Sequence, residues 1–450
     1  MDTGPRIWMY LCRRIKIEFT GHYPFSDSRM FPERSKGSPM LCFQSSRKLH
    51  LASFVLVVAL AMPNHARADA GFDRFLDSMW PRAQEAGVTR PVFDEAIKGL
   101  TPDFSLPDLE VPGRPEKPAP GQPEFVQTPS QYLRESSFDR LAKRGQQLAV
   151  QYRTTLERIE KEIGVPGNVV LAIWARETDY GSYKLPHDGI RVLATQAYVG
   201  RRKAMYQTEF VQVLKMLQDG VPRSYLRSSW GGALGLTQFL PSDYYRYAVD
   251  FDGDGRVDIF RSVPDALASA ARQLAGRGWQ RGERWAYEVR APANGDCSIG
   301  TPDTKMTIAA WVKRGYILTP PRKLTAEALA MEASLLQPEG SYGPSFLTPK
   351  NYFVIKDYNF SDLYVLFVGH LSDRIAGANA FMTPWSKSEQ LKTKDVEAMQ
   401  QRLTQLGLYK DKIDGKAGML TRAALGHYQK ANGLKVDCWP TSAVLAHMRR

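Results

Sequence analysis

One carboxylate in this sequence is placed where a proton could be stored. The stretch from Gly164-Val165-Pro166 to Tyr180-Gly181 reads as a helix in which Val170, Ile173, Trp174 and Glu177 recur at i, i+3, i+4 and i+7, so they share one face. A carboxyl turned toward hydrophobic neighbours loses solvation, which raises its pKa and keeps a proton available near neutral pH, as a general acid requires. Asp179 lies about 200° further round at roughly 100° per residue, on the opposite side. The pattern therefore offers one inward carboxylate, not a pair. A solvent-facing glutamate at a fraying helix end, or one tied to a buried arginine, is the alternative reading.

A second constellation lies in Asp250-Phe251-Asp252-Gly253-Asp254-Gly255-Arg256-Val257-Asp258. Its acids stand at positions 1, 3, 5 and 9 of an EF-hand-type calcium loop, with glycine at 6 and Arg256 where that loop uses a backbone carbonyl. Position 12, normally a bidentate Glu, is Arg261, and Asp265 comes slightly later. The spacing suits a structural calcium ion; an Asp-rich turn without metal is the alternative. A calcium sensor would present paired loops, and one is visible.

These residues need elements to hold them. Pro166 suits a first helical turn and Gly181 a C-terminal stop. Helical periodicity is also expected at Phe72 to Met79, Val92 to Ile97, Tyr132 to Ile163, 202–218 and 264–276. Residues 102–123 are proline-rich and extended, and Asn294 to Ile308 is turn-rich, with a helical run from Trp311 broken by Pro320 and Pro321. Arg47-Lys48, the apolar run Leu51 to Met62 and Ala66-Arg67-Ala68 read as an export signal cleaved near Ala68. The run is shorter than the ~20 helical residues that span a bilayer, so export without a stable membrane anchor is expected, with translation starting at Met40 or Met30. Cys42 precedes the apolar run, which argues against a lipid anchor.

The chain has 450 residues and a formal charge of +13, of which residues 1–68 contribute +6. That length allows two or three domains. The remaining +7 favours an anionic polymer, and the lack of a Lys/Arg run interleaved with aromatics makes nucleic acid the weaker partner. Cys297 and Cys438 are the only cysteines after the signal; falling in different expected domains, they read as two free buried thiols, with a disulfide left open.

Glu177-Thr178-Asp179-Tyr180-Gly181 after Ala172-Ile173-Trp174, with Ala194-Thr195-Gln196-Ala197-Tyr198 and Gly200-Arg201-Arg202, resembles the lytic murein transglycosylase B family. Ser229-Trp230-Gly231-Gly232-Ala233-Leu234-Gly235-Leu236-Thr237-Gln238 resembles that family's second block and Tyr358-Asn359-Phe360-Ser361-Asp362-Leu363-Tyr364 its third, the likeness running from about 71 to about 385. The resemblance implies a mainly α, lysozyme-like catalytic region with minor β over 69–385. Its implied activity is non-hydrolytic cleavage of the N-acetylmuramic acid to N-acetylglucosamine bond of peptidoglycan, with Glu177 as sole acid/base and a 1,6-anhydro product. Ser229, Gln238, Tyr358, Asn359 and Tyr364 match positions lining the sugar cleft; read from residue type alone, they could equally be caps, structural amides and core aromatics. Asp265 matches an acidic position some members use. Arg272-Gln273 stand where relatives often carry Asn-Tyr, which predicts altered subsite preference.

Residues 390–450 resemble a small three-helix peptidoglycan-binding domain, on Gly407-Leu408-Tyr409, Asp414-Gly415, Gly418, Thr421, Ala424-Leu425, Tyr428-Gln429 and Gly433-Leu434. A helical oligomerisation module is the alternative. Asp437-Cys438 replaces a second Asp-Gly, which should weaken that turn, since glycine accepts positive φ and cysteine does not. Together the resemblances imply a periplasmic enzyme acting on peptidoglycan strands, associated with cell-wall synthesis or division complexes and needing no cofactor for its chemistry. A hydrolase using Asp179 or Asp188 to hold a water, or a non-catalytic wall-binding protein, are the rivals.

Overall fold

The computed structural model describes residues 70–113, 127–386, 388–389 and 391–450; the expected export signal and residues 114–126 of the proline-rich stretch lie outside them. The helix carrying Glu177 runs Gly167–Thr178, and it is buried nearly all round, not on one face: Val169, Leu171, Ala172 and Ala175 are as enclosed as Val170, Ile173 and Trp174. A helix that is apolar on every side must lie inside other helices. It is packed against Glu135–Gln151, Arg153–Ile163, Val263–Gly276 and Asp362–Ile375, and these share one hydrophobic core with Lys350–Tyr358. Arg153–Ile163 is separated from Glu135–Gln151 by a break at Tyr152, so the continuous periodicity of the sequence hides two helices.

A second core lies beneath the N-terminal helices Ala70–Ser78, Trp80–Glu85 and Arg90–Ile97, which rest on Gly189–Val199 and Lys203–Gln218. Within Gly189–Val199, Thr195 and Gln196 are committed to structure. Thr195 Oγ1 accepts from Asp103 N–H at 2.9 Å and Gln196 Nε2 donates to Pro107 O at 3.1 Å, while Arg202 reaches Asp108 at 2.9 Å. The first motif block thus pins the 102–113 segment along the helix.

The β structure is small, as expected, and the sequence pattern marks none of its strands. A two-stranded ladder pairs β1 (His187–Asp188) with β2 (Arg227–Ser228). The other strands are β3 (Tyr287–Arg290), β4 (Met306–Thr307), β5 (Ile317–Leu318), β6 (Glu332–Leu336) and β7 (Ser345–Thr348). They form an antiparallel sheet in the order β4-β6-β7-β3-β5. Short strands of two to five residues give too little alternation to read from sequence.

The C-terminal module has three helices, Thr393–Gln405, Met419–Ala431 and Ser442–Met448, around Met399, Leu403, Leu425 and Tyr428. Two buried glutamines organise its turns. Gln400 Oε1 accepts from the N–H of Asp414 and Gly415, and Gln429 Oε1 from those of Asp437 and Cys438. Cys438 does adopt the left-handed conformation of a glycine, at φ +55°, with its N–H bonded to Gln429 Oε1 at 2.9 Å.

The reading of two free thiols is corrected. Cys297 and Cys438 form a disulfide across a Cα–Cα distance of 6.0 Å. The module docks with Met419–Ala431 on the short turn Cys297–Ile299, an approach that Gly426 permits because a Cβ there would sit 2.8 Å from Ser298 Cβ. Sequence separation gave no sign of that docking. Among the described residues no helix is long and apolar enough to cross a membrane.

Candidate active site

Glu177 is 3% exposed, one residue before its helix ends. The helix stops at Asp179, not at Gly181: Asp179, Tyr180 and Gly181 take φ of +50°, +56° and +77° in succession. Non-glycine residues in the left-handed region are costly and concentrate at functional sites. Gln238 is another, at φ +57°.

The third sequence block supplies the partner of the glutamate. Ser361 caps the helix Asp362–Ile375 through its side chain, and Tyr364, in that helix's first turn, donates from its hydroxyl to Glu177 Oε1 at 2.7 Å. The ring of Tyr358 lies parallel to that of Tyr364, with centroids 6.4 Å apart, and its hydroxyl donates to Thr237 O at 2.6 Å. Burial pushes both phenols far above their ordinary pKa, reinforced at Tyr358 by the nearby Glu177 charge, so both are neutral donors. The second block closes the other side: Thr178 Oγ1 donates to Leu236 O at 2.7 Å, and Gln238 Nε2 to Gly235 O at 3.0 Å.

The structure therefore brings Glu177, Tyr358 and Tyr364 together beside the segment that carries Gln238. Among the described residues, the buried Thr237 Oγ1, Gln238 Oε1 and Asn359 Nδ2 have no hydrogen-bond partner. Buried polar groups are usually satisfied, so such orphans mark places where a ligand can bond. Asn359 otherwise bonds locally, its Oδ1 accepting from Ser361 N–H at 3.0 Å. Ser229 holds its own turn, its hydroxyl accepting from Ala233 N–H at 3.2 Å.

The rival carboxylates are engaged elsewhere. Asp179 pairs with Arg140 at 3.0 Å, and Asp188 caps Gly189–Val199 by accepting from Arg191 N–H at 2.9 Å while pairing with Arg223 at 3.2 Å. Two features escaped sequence reading, Thr237 and a buried Arg277–Asp243 ion pair at 3.8 Å. Arg277 lies 5.7 Å from the centroid of the Tyr358 ring. Thr237 stood inside a quoted block; for Arg277 no local signal exists.

In the acidic loop, carboxylate oxygens of Asp250, Asp252 and Asp254 all lie within 4.8 Å of one another. Asp258 Oδ1 accepts from the N–H of Phe260 and Arg261 at 2.9 and 2.8 Å. Asp265 bonds the N–H of Phe251 at 2.8 Å, Asp252 at 3.2 Å and Asp258 at 2.9 Å, cinching both ends of the loop. Three close carboxylates are a hard-oxygen donor set that fits calcium.

Comparison with known proteins places these features. A model of the transglycosylase SLT domain matches residues 71–373, and one of a peptidoglycan-binding domain matches 392–448. Membrane-bound lytic murein transglycosylase B of Escherichia coli (strain K12) is 32% identical over 232 residues, half of this chain and 61% of that protein's length. The structure of SltB3 from Pseudomonas aeruginosa, in complex with NAG-anhNAM-pentapeptide, superposes with a TM-score of 0.74 at 34% identity, covering 84% of this chain and 99% of that one. The Escherichia coli lytic transglycosylase Slt35, in complex with calcium, gives 0.53 at 25% identity over 68% of this chain and 93% of its own. With the matching model covering most of its length, the chain belongs to the transglycosylase SLT domain family of lytic murein transglycosylases.

Proposed function

We propose that this protein is a periplasmic lytic transglycosylase that cleaves the N-acetylmuramic acid to N-acetylglucosamine bond of peptidoglycan, with Glu177 as the single acid and base. The observation that carries the reading is the buried Glu177 carboxyl bonded by Tyr364. Protonated Glu177 gives its proton to the bridging oxygen as the glycosidic bond breaks and an oxocarbenium-like state forms. The resulting carboxylate takes the proton from the C6 hydroxyl of the muramic sugar, whose oxygen attacks the anomeric carbon and closes the 1,6-anhydro ring. Atoms balance without water, so no second carboxylate is needed. Residues 69–385 form the catalytic part and 390–450 the wall-binding part in this reading.

Tyr364 fixes the orientation of Glu177 and supports its charge after proton transfer, while Thr237, Gln238 and Asn359 offer the unpaired atoms to sugar hydroxyl and acetamido groups, with Ser229 and Tyr358 shaping the cleft. Hydrogen bonds to charged groups contribute about 1.5–3 kcal/mol. Tyr364→Phe is accordingly expected to lower kcat by roughly 10- to 100-fold with an unchanged fold, read by muropeptide release and circular dichroism; wild-type kcat would remove Tyr364 from the mechanism. Incubation with purified sacculi tests the function as a whole. Soluble muropeptides should appear, whereas a non-catalytic wall-binding protein would pellet with the wall and release nothing.

Asp250, Asp252, Asp254 and the Arg256 carbonyl would hold a structural calcium ion, with Asp258 and Asp265 fixing the loop around it. A ligand at a hundred times its Kd stabilises by about 2.7 kcal/mol. Calcium should therefore raise the melting temperature of the wild type and leave that of Asp252→Asn/Asp254→Asn unmoved; equal shifts in both would place the ion elsewhere. The disulfide suits an oxidising compartment, which supports export. Cell-wall synthesis or division complexes are the proposed setting.

A further inference from the structure

The C-terminal module is fastened to the catalytic body by a set of contacts that includes Ser341 N–H to Asp437 O at 2.9 Å and Lys430 Nζ to Ser298 Oγ at 3.1 Å. Besides the Cys297–Cys438 disulfide, Lys430 pairs with Asp296, the Tyr342 hydroxyl donates to Asp437 Oδ2 at 2.6 Å, and Arg422 Nη2 meets Asp362 Oδ2 at 2.9 Å. The last contact differs from the other ion pair in burial and from all of them in place. Both side chains are only 8% exposed. Asp362 is also the first residue of the helix Asp362–Ile375, two positions before Tyr364.

Asp362 is shared between module and body. Its Oδ1 accepts from Tyr352 at 2.7 Å and Lys356 at 2.5 Å, and its Oδ2 takes the guanidinium of Arg422, whose Nη1 in turn donates to Ala417 O at 2.5 Å. Burial opposes the charge on Asp362, yet Lys356 and Arg422 outweigh it and hold the carboxyl well below the usual range. Without Arg422, Lys356 still balances the Asp362 charge at Oδ1, but the buried Oδ2 loses the donor it has from the module, which favours local rearrangement of the carboxylate and its turn. The segment that would rearrange is the turn that aims the Tyr364 hydroxyl at Glu177.

We propose that Arg422, on the wall-binding module, is a positioning residue for the reaction: through Asp362 it fixes the helix turn that holds Tyr364 against Glu177. The inference rests on the reading of Glu177 as acid and base. It makes the module a structural part of the active site as well as a tether, because the ion pair reaches the catalytic helix directly.

The test uses the full chain on a soluble tetrasaccharide muropeptide, a substrate that does not require wall attachment. Arg422→Gln is expected to lower kcat on the order of 10-fold with KM nearly unchanged, since small misplacements of catalytic groups reach that size. Arg422→Lys should recover most of the loss, and sacculus binding should stay at wild-type strength. Combined with Asp362→Asn, which removes the group through which Arg422 acts, the double variant should be no slower than the slower single variant. Should Arg422→Gln not fold, Arg422→Lys and the charge-free pair are compared with Asp362→Asn in its place. Wild-type kcat in Arg422→Gln, losses that simply add in the double variant, or a loss confined to KM would overturn the inference and leave Glu177 untouched. A wild-type chain inactive on the same glycan, by contrast, would overturn the Glu177 reading itself.

Discussion

Glu177→Gln is expected to lower peptidoglycan turnover by about 10³-fold, within the range that positioned proton transfer supplies, while leaving the fold and sacculus binding intact. The amide keeps the shape of the side chain and still accepts the Tyr364 hydrogen bond, so the substitution removes the transferable proton and little else. The two proton transfers of the mechanism pass through this one group, and the two rival carboxylates are engaged elsewhere, Asp179 by Arg140 and Asp188 by a helix cap with Arg223. Release of soluble muropeptides, measured against a pull-down on the same sacculi, checks both halves. Near-wild-type release would remove Glu177 from the chemistry.

The second large effect concerns stability. Cys297 and Cys438 close a loop of 141 residues, and a chain-entropy estimate for a loop of that length is about 4–5 kcal/mol. Cys297→Ala/Cys438→Ala should therefore lower the urea midpoint substantially, and the module should begin to unfold ahead of the body, because only noncovalent contacts then fasten it, those of Arg422, Lys430 and Asp437 among them. Coincident unfolding curves for the wild type and the double variant would show that the docked interface alone holds the module. Much of that interface rests on Asp437-Cys438, the dipeptide whose departure from Asp-Gly the sequence suggested as a weakness. Cysteine occupies the left-handed position at φ +55°, and in exchange it ties the turn to the catalytic body.

The residues of the candidate site were legible because their motif blocks are local. Glu177, Tyr358 and Tyr364 sit in short blocks that resemble the family's, and the helices that carry the glutamate and Tyr364 are rich enough in apolar residues to be read as buried. What was not legible is long-range. Tyr364 reaches Glu177 across 187 positions, and Arg422 reaches Asp362 across 60; no window of sequence contains either contact. The helix end at Asp179 was misplaced by two residues because glycine was taken as the stop, whereas tertiary packing holds Asp179 and Tyr180 in the conformation glycine prefers. The five-stranded sheet was missed because its strands are too short for period-two alternation to register.

The central claim is that the substrate supplies its own nucleophile and water takes no part. The most direct measurement is the mass of soluble muropeptides released from purified sacculi in water enriched in heavy oxygen. The account predicts products lighter than reducing muropeptides by one water and carrying no heavy oxygen, absent when Glu177→Gln replaces the wild type. Reducing products with heavy oxygen at the anomeric carbon would contradict it and make the protein a hydrolase.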